Sequence, residues 1–463
     1  MLNYHVKIGL APIRRDLAPR SGNMNWEKAE ARAKQCVSFI REHFTNCNTA
    51  FIDVDGITER NIIVTENDSL KVAQKFSKEN VDAVVIIAAN FGNEEAAGLL
   101  ARKIGKPILL WGPLDEEFTP EGMRFTDTQC GLFGISRMLQ RLNIPFSYIN
   151  NCRITDPEFT DGMNSFIRVC CMVKNFREMR VAQIGLRPKP FCSVIFNESE
   201  LLTKFGIQVI PINQAIVFEK FNHILETRKE ELLDGVQLLK SRYIFDDPSS
   251  EKLRRIYAFV LLFHELFEEY HLTAAAVECW SALQSLLGAV PCTAFSILAD
   301  EGYILACETD VHGAIGMALL ACASMGHSVP FFGEFTVRHP ENKKAELLWH
   351  CGPFAYSLKA PDSTAKNVNM RQSFKVKDGI YTLARFDQEN GNYSLLNGTC
   401  QSTEGPYSYG TYLWVEFDAG LDAWERKLIF GPYIHHMAEI EGDYTSEIAD
   451  FTNFISALSN DHL

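Results

Sequence analysis

Asp82-Ala83-Val84-Val85-Ile86-Ile87-Ala88-Ala89 decides the fold class of this chain. The run is apolar throughout and does not alternate with polar residues. It therefore suits a strand covered on both faces, the situation of a parallel sheet between helices. Strand-like and helix-like segments alternate on either side of it. Residues 7–11, 50–54, 107–111 and 145–150 read as strands, and residues 26–44, 69–78, 93–104 and 130–142 as helices. Such β-α alternation predicts a doubly wound parallel sheet. Ligand sites in these sheets lie past the carboxyl ends of the strands. Arg14 and Arg15 follow the first strand, with Arg20 a little further on.

A long helix over 156–179 leads into a second α/β series. Strands are expected at 180–186, 207–212, 274–279 and 329–332, and helices at 198–205, 251–270 and 309–325. Beyond about residue 340 the character changes. Asn390-Gly391-Asn392, Asn397-Gly398 and Glu404-Gly405-Pro406 read as turns between short runs rich in β-branched and aromatic residues, at 373–377, 379–385 and 411–416. These predict an antiparallel sheet or small barrel, closed by a helix over 445–458. The expectation is α/β: two doubly wound α/β domains, 1–171 and 172–340, followed by a β-rich, barrel-like domain, 341–463.

Composition narrows the function. The chain has 463 residues, 46 % of them hydrophobic and 22 % charged, which provides for buried cores and argues against disorder. A formal charge of −13 disfavours nucleic acid as a partner. No apolar run is long enough to span a bilayer, and no signal-peptide pattern opens the chain. Thirteen cysteines, many in apolar runs and none in a CxxC framework, suggest reduced thiols and a cytoplasmic protein.

Four residues stand in contexts suited to a metal site: Glu308 in Cys307-Glu308-Thr309-Asp310, Glu334 in Phe332-Gly333-Glu334, His350 in Trp349-His350-Cys351, and His436 in Ile434-His435-His436. Two carboxylates and two imidazoles can hold one divalent cation and leave positions open for substrate oxygens. A carboxylate beside such a position can also move a proton on carbon, a combination that suits an aldose–ketose isomerase. Each residue has a plainer reading too. Glu308 and Asp310 can simply complement a helix dipole, Glu334 can be an exposed strand-end acid, His350 a core histidine, and His435-His436 a surface pair. The strands ending at Glu308 and Glu334 are expected to be neighbours in one parallel sheet, which would bring the two acids together. Oxygen-rich coordination with imidazole favours Mn²⁺, with Mg²⁺ or Co²⁺ as alternatives. Glu278 also ends a strand and can line a sugar pocket. Arg14, Arg15, Arg187 and Lys189 can hold a polyol or an anionic substituent, or be solvated loop charges.

In their order along the chain, Asp300-Glu301-Gly302-Tyr303-Ile304-Leu305-Ala306-Cys307-Glu308-Thr309-Asp310-Val311, Phe331-Phe332-Gly333-Glu334, Trp349-His350-Cys351-Gly352 and His435-His436 resemble the L-fucose/L-arabinose isomerase family. The resemblance runs across nearly the whole chain. It implies Mn²⁺ held by Glu308, Glu334 and His436, with His435 as a fallback and otherwise a substrate contact. His350 matches the arabinose-isomerase-like members. The resemblance further implies a homo-trimer or homo-hexamer in which the first domain of a neighbouring subunit closes the site, giving Arg14 and Arg15 a role in trans. The leading expectation is a metal-dependent isomerase that acts on a monosaccharide through a cis-enediol, with proton transfer by the paired carboxylates. The arginines motivate an alternative, an acidic or sulfonated hexose such as sulfoquinovose. A non-catalytic sugar-binding protein is the rival from another class.

Overall fold

The computed structural model describes residues 1–15, 26–115, 118–280 and 282–463; Arg20 lies outside them. The chain forms two compact units, Tyr4–Lys174 and Met1–Asn3 with Asn175–Leu463.

In the first unit, five parallel strands run in the order Thr49–Ile52, Val6–Ile13, Ala83–Ala88, Ile108–Trp111, Phe146–Tyr148. Ala83–Ala88 is buried at every position, as its unbroken apolar run requires. Helices cover the sheet, and their ends follow local chemistry. Thr65 and Asp68 form a reciprocal capping box on Glu66–Lys78. Asn93 caps the start of Glu94–Ile104, and Gly105, at φ 60°, ends it in the left-handed region.

The second unit has two sheets. A parallel one runs in the order Leu305–Ala306, Ala274–Val277, Arg180–Ile184, Gln208–Ile212. The other is antiparallel at its centre. Strands Phe331–Arg338, Ala345–His350, Thr411–Phe417, Asn392–Ser402, Ile380–Glu389 and His436–Glu441 pair in that cyclic order, so the sheet closes into a six-stranded barrel. The hairpin between Ile380–Glu389 and Asn392–Ser402 turns at Asn390 and Gly391, whose φ values of 53° and 79° suit a two-residue turn. Helix Val311–Ala323 packs against strands of both sheets and is buried at all thirteen positions, which explains why its sequence has no polar face.

Two expectations are corrected. The apolar run at 329–332 does not continue the parallel sheet. It enters the barrel as Phe331–Arg338, antiparallel to both of its neighbours. A buried strand looks alike in either setting, because periodicity reports burial and not the direction of the partner. Asn397-Gly398 is no turn but lies inside Asn392–Ser402. A Cβ on Gly398 would come within 2.8 Å of the Trp424 ring, so the glycine marks a close approach.

Another close approach fixes a helix of the first unit. A Cβ on Gly131, in Thr128–Arg141, would stand 2.4 Å from the Gly92 nitrogen and 2.9 Å from the Asn90 oxygen. Both are backbone atoms that cannot rotate away. Gly131→Ala is expected to cost about 1–3 kcal/mol through overpacking, read as a lower urea midpoint for this unit. An unchanged midpoint would show that the helix can shift freely.

Candidate metal and active site

Glu308 follows the short parallel strand Leu305–Ala306. Glu308 and Thr309 both take left-handed backbone angles, φ 61° and 59°. Each costs an L-residue about 1–2 kcal/mol, and a β-branched threonine is rarely found there. The turn is held by Thr309 N–H donating to Val277 O (3.1 Å), Asp310 N–H to Cys307 O (3.1 Å) and the Thr309 hydroxyl to Leu186 O (3.3 Å). Strain of this kind collects where a side chain must be aimed.

The barrel supplies the remaining groups. Glu334 lies opposite His436 on one neighbouring strand and opposite Trp349 on the other, next to His350. The separations are short: His436 Nε2 to Glu308 Oε2, 3.1 Å; His436 Nε2 to Glu334 Oε1, 3.6 Å; His350 Nε2 to Glu334 Oε1, 3.6 Å. Donor atoms of Glu308, Glu334 and His350 lie within 4.8 Å of one another, as do those of Glu334, His435 and His436. The four residues read from the sequence therefore meet. They meet across two sheets, not at neighbouring strand ends of one.

These atoms are buried and poorly satisfied. Glu308 Oε2, His350 Nε2 and His436 Nε2 have no hydrogen-bond partner, since the 3.1 Å contact between Glu308 and His436 lacks hydrogen-bond alignment. Orphaned polar atoms are costly, and several aimed at one point suit a cation. Two carboxylates with imidazole match Mn²⁺, Mg²⁺ or Co²⁺ chemistry, so the residues present fit such an ion.

The two histidines are prepared differently. His436 Nδ1 donates to Asp310 Oδ2 at 2.9 Å, leaving Nε2 free to face the acids. That carboxylate–histidine arrangement orients metal ligands elsewhere. His350 Nδ1 instead accepts from the Cys351 N–H at 2.9 Å, which places the neutral ring's proton on Nε2. As it stands, His350 is a donor toward Glu334 or a substrate oxygen. Ligation through Nε2 requires it to give up that backbone bond.

Arg385 and Asp387 are neighbours of the site that the sequence reading passed over, and Asp310, read there as a helix-dipole charge, joins them. Arg385, 1 % exposed, donates to Asp310 Oδ2 (2.5 Å) and Asp387 Oδ2 (2.9 Å), and His312 Nδ1 lies 3.1 Å from Asp387 Oδ1. Asp310 Oδ1 also accepts the Gly313 N–H at 2.9 Å, capping the apolar helix. Their signal was an arginine inside the apolar run Tyr381–Phe386, because a buried charge needs partners.

Charge follows from this packing. Burial would raise the Asp310 carboxyl, but the Arg385 charge and the His436 hydrogen bond hold it far below the usual range. Burial would lower His436, yet its hydrogen bond to Asp310 and its close contact with the Glu308 carboxylate raise it to about 9. Burial, opposed by the His436 charge and reinforced by Glu308, raises Glu334 to about 7. Glu308 is also pushed up by burial, but contact with His436 and the neighbouring histidines bring it below its ordinary value. His435 falls to about 4 through burial and then the His436 charge, so it is neutral at working pH.

The other candidates lie elsewhere or are engaged. Glu278 Oε2 accepts from Leu186 N–H (3.3 Å) and from Gln214, and so braces a loop. Arg14 and Arg15 belong to the first unit. Arg14 pairs with Glu30 (3.3 Å) over Trp26; Arg15 pairs with Glu94 (2.7 Å) over Phe91. Arg187 lies in the second unit, on the loop after Arg180–Ile184.

Comparison with known proteins points to sugar isomerases. Residues 18–177 match the fucose/sulfoquinovose isomerase N-terminal domain. A sulfoquinovose isomerase from Priestia aryabhattai is 23 % identical over 420 residues, 89 % of this chain and 91 % of that protein. Another, from Alkalicoccus urumqiensis, is 24 % identical over 396 residues, 84 % and 88 % of the two chains. A periplasmic solute-binding protein of an ABC transporter from Actinobacillus succinogenes, with bound D-allose, aligns at 13 % identity and a TM-score of 0.17, covering 69 % of this chain and 92 % of its own; that likeness carries no argument. The chain is similar to the fucose/sulfoquinovose isomerases over most of its length, and that likeness indicates an aldose–ketose isomerase, an intramolecular oxidoreductase. Within that class, these curated relatives are sulfoquinovose isomerases. No helix among the described residues is long and apolar enough to cross a membrane.

Two expectations follow. Asp310→Asn should weaken Mn²⁺ binding about 10–100-fold, measured by the EPR signal of free Mn²⁺, because His436 loses its orienting carboxylate. Binding should also be proton-coupled. In the metal-free protein Glu334 gives up its proton near pH 7 and His436 near pH 9, and ligation requires both to be gone. Apparent affinity should therefore rise about tenfold per unit between pH 7 and 9, and more steeply below 7. A flat profile would remove Glu334 and His436 from the ligand set.

Proposed function

We propose that the protein interconverts an aldose carrying a sulfonate, of the sulfoquinovose type, with its ketose at a divalent-metal site made by Glu308, Glu334 and His436, with His350 beside them. The convergence of these groups across two sheets carries the reading. The names of the relatives favour a sulfonated hexose over a neutral one. Mn²⁺ is the proposed ion, with Mg²⁺ or Co²⁺ as alternatives. When bound, it supplies Lewis-acid polarisation of the oxygens on C1 and C2.

The side chains handle position and protons. Glu308 and Glu334 flank the reacting carbons. One takes the C2 proton to give a cis-enediol and delivers it to C1, while the other carries the hydroxyl proton from the oxygen on C2 to the oxygen on C1. Burial of Glu308 and partial burial of Glu334 favour a direct transfer on one face of the enediol over exchange through bulk water. His350 Nε2–H is placed to donate to a substrate oxygen, and neutral His435 lies beside His436, with ring centroids 4.4 Å apart. Asp310 and Arg385 touch no substrate; they hold His436 in one tautomer. The expected homo-oligomer and cytoplasmic location remain part of this proposal.

Incubation of the Mn²⁺-loaded protein with sulfoquinovose and with glucose in D₂O tests it. Ketose should form from the sulfonated sugar, with EDTA abolishing and Mn²⁺ restoring turnover. No ketose from any aldose, with metal bound, would overturn the activity. Glu308→Gln and Glu334→Gln should each keep the fold and lose about 10²–10⁴-fold in kcat. Near-normal turnover in either would free that acid of its role.

A further inference from the structure

The loop Gly185–Phe191 is fastened to the site at both ends. At one end the Leu186 N–H donates to Glu278 Oε2 (3.3 Å), and Leu186 O accepts the hydroxyl of Thr309, the residue after Glu308. At the other, the Phe191 ring stacks on His436, centroids 6.0 Å apart and planes 24° apart, and meets Trp280 edge-on. Between these anchors runs Arg187-Pro188-Lys189-Pro190. Two prolines and the turn bonds Phe191 N–H to Pro188 O (3.0 Å) and Cys192 N–H to Pro190 O (3.1 Å) stiffen the segment. The segment between the anchors thus carries two cations beside the site in a pre-set form.

We infer that Arg187 and Lys189 form the seat for the sulfonate of the substrate, a specificity site at the far end of the sugar from Glu308, Glu334 and His436. The inference rests on the sulfonated-aldose reading above. Charge pairing supports it. Arg385 is buried and ion-paired with two aspartates. One terminal nitrogen of Arg187 bonds Pro188 O (3.1 Å), Lys189 O (3.2 Å) and Cys192 Sγ (3.8 Å), which holds the guanidinium over the loop. Its Nε and second terminal nitrogen make no hydrogen bond, and neither Arg187 nor Lys189 pairs with a carboxylate among the described residues. A half-exposed fork with free donors, two residues along the same loop from an exposed lysine, suits a tetrahedral anion with three acceptor oxygens.

Reach supports it as well. One strand separates Arg180–Ile184 from Leu305–Ala306, so their ends stand about 10 Å apart at about 4.8 Å per strand. An extended hexose spans about 6 Å from C1 to C6, and a sulfonate on C6 adds about 3 Å, taking single bonds of about 1.5 Å and somewhat more to sulfur. A sugar with its C1–C2 end at Glu308 therefore brings the sulfonate to the Arg187 loop.

The test compares kcat/KM for sulfoquinovose and for 6-deoxyglucose, the same skeleton without the anion, in the Mn²⁺-loaded enzyme. The sulfonated-to-deoxy ratio should fall about 100-fold in Arg187→Ala and about tenfold in Lys189→Ala, mainly as a raised KM for the sulfonated sugar, with partial recovery in Arg187→Lys. A wild-type ratio in Arg187→Ala would overturn the seat, and so would an equal loss on both sugars or a fall in Mn²⁺ affinity, which would mark the loop as a prop for His436. If the wild-type enzyme shows no preference for the sulfonated sugar, the substrate reading itself fails. If that preference persists in Arg187→Ala, only the seat fails.

Discussion

The Asp310 carboxylate, shared between the His436 imidazole and the Arg385 guanidinium, is the contact on which the site depends. All three groups are essentially without solvent, so none is tolerable alone. Removing one member of such a buried set typically costs about 3–5 kcal/mol, because the others are left charged in a medium that cannot screen them. The three residues come from the start of the apolar helix, the start of one barrel strand and the middle of another. Their mutual need ties the parallel sheet to the barrel where the acids meet. In the metal-free protein the raised proton affinity of His436 has the same origin: an imidazolium between Asp310 and Glu308 stands in electrostatically for a cation.

Two kinds of backbone divide the work. The parallel sheet offers a strand end, where a strained turn at Glu308 and Thr309 aims one carboxylate. The barrel offers rigid neighbouring strands, on which Glu334, His350 and His436 are fixed by register. Groups held on strands keep their spacing better than groups held on loops, which matters when an ångström changes proton transfer. The helix Val311–Ala323 serves both sheets at once. Its lack of a polar face is the sequence record of burial on every side.

Much of the architecture was legible. The apolar run at Ala83–Ala88 gave a central parallel strand, the helix Trp26–Phe44 was read with its ends in place, and Asn390-Gly391 gave a hairpin. Each rests on a local signal such as period, cap or turn chemistry. The run at 329–332 was misassigned to the parallel sheet, and Asn397-Gly398 to a turn, because their meaning depends on distant partners: an antiparallel neighbour for one, the Trp424 ring for the other. The four site residues were legible as types in context, but the route by which Glu308 and Glu334 approach was not.

The sequence by itself determined the inventory: which stretches become strands or helices, and which acids and imidazoles are available for chemistry. Only the tertiary structure decided which imidazole nitrogen faces the acids, which arginine is spent on aspartates and which keeps free donors. Those outcomes depend on burial and on hydrogen bonds between residues far apart in the chain, such as the 126 positions between Asp310 and His436. A linear reading has no access to solvent exclusion, and exclusion of solvent is what turns ordinary side chains into a tuned site.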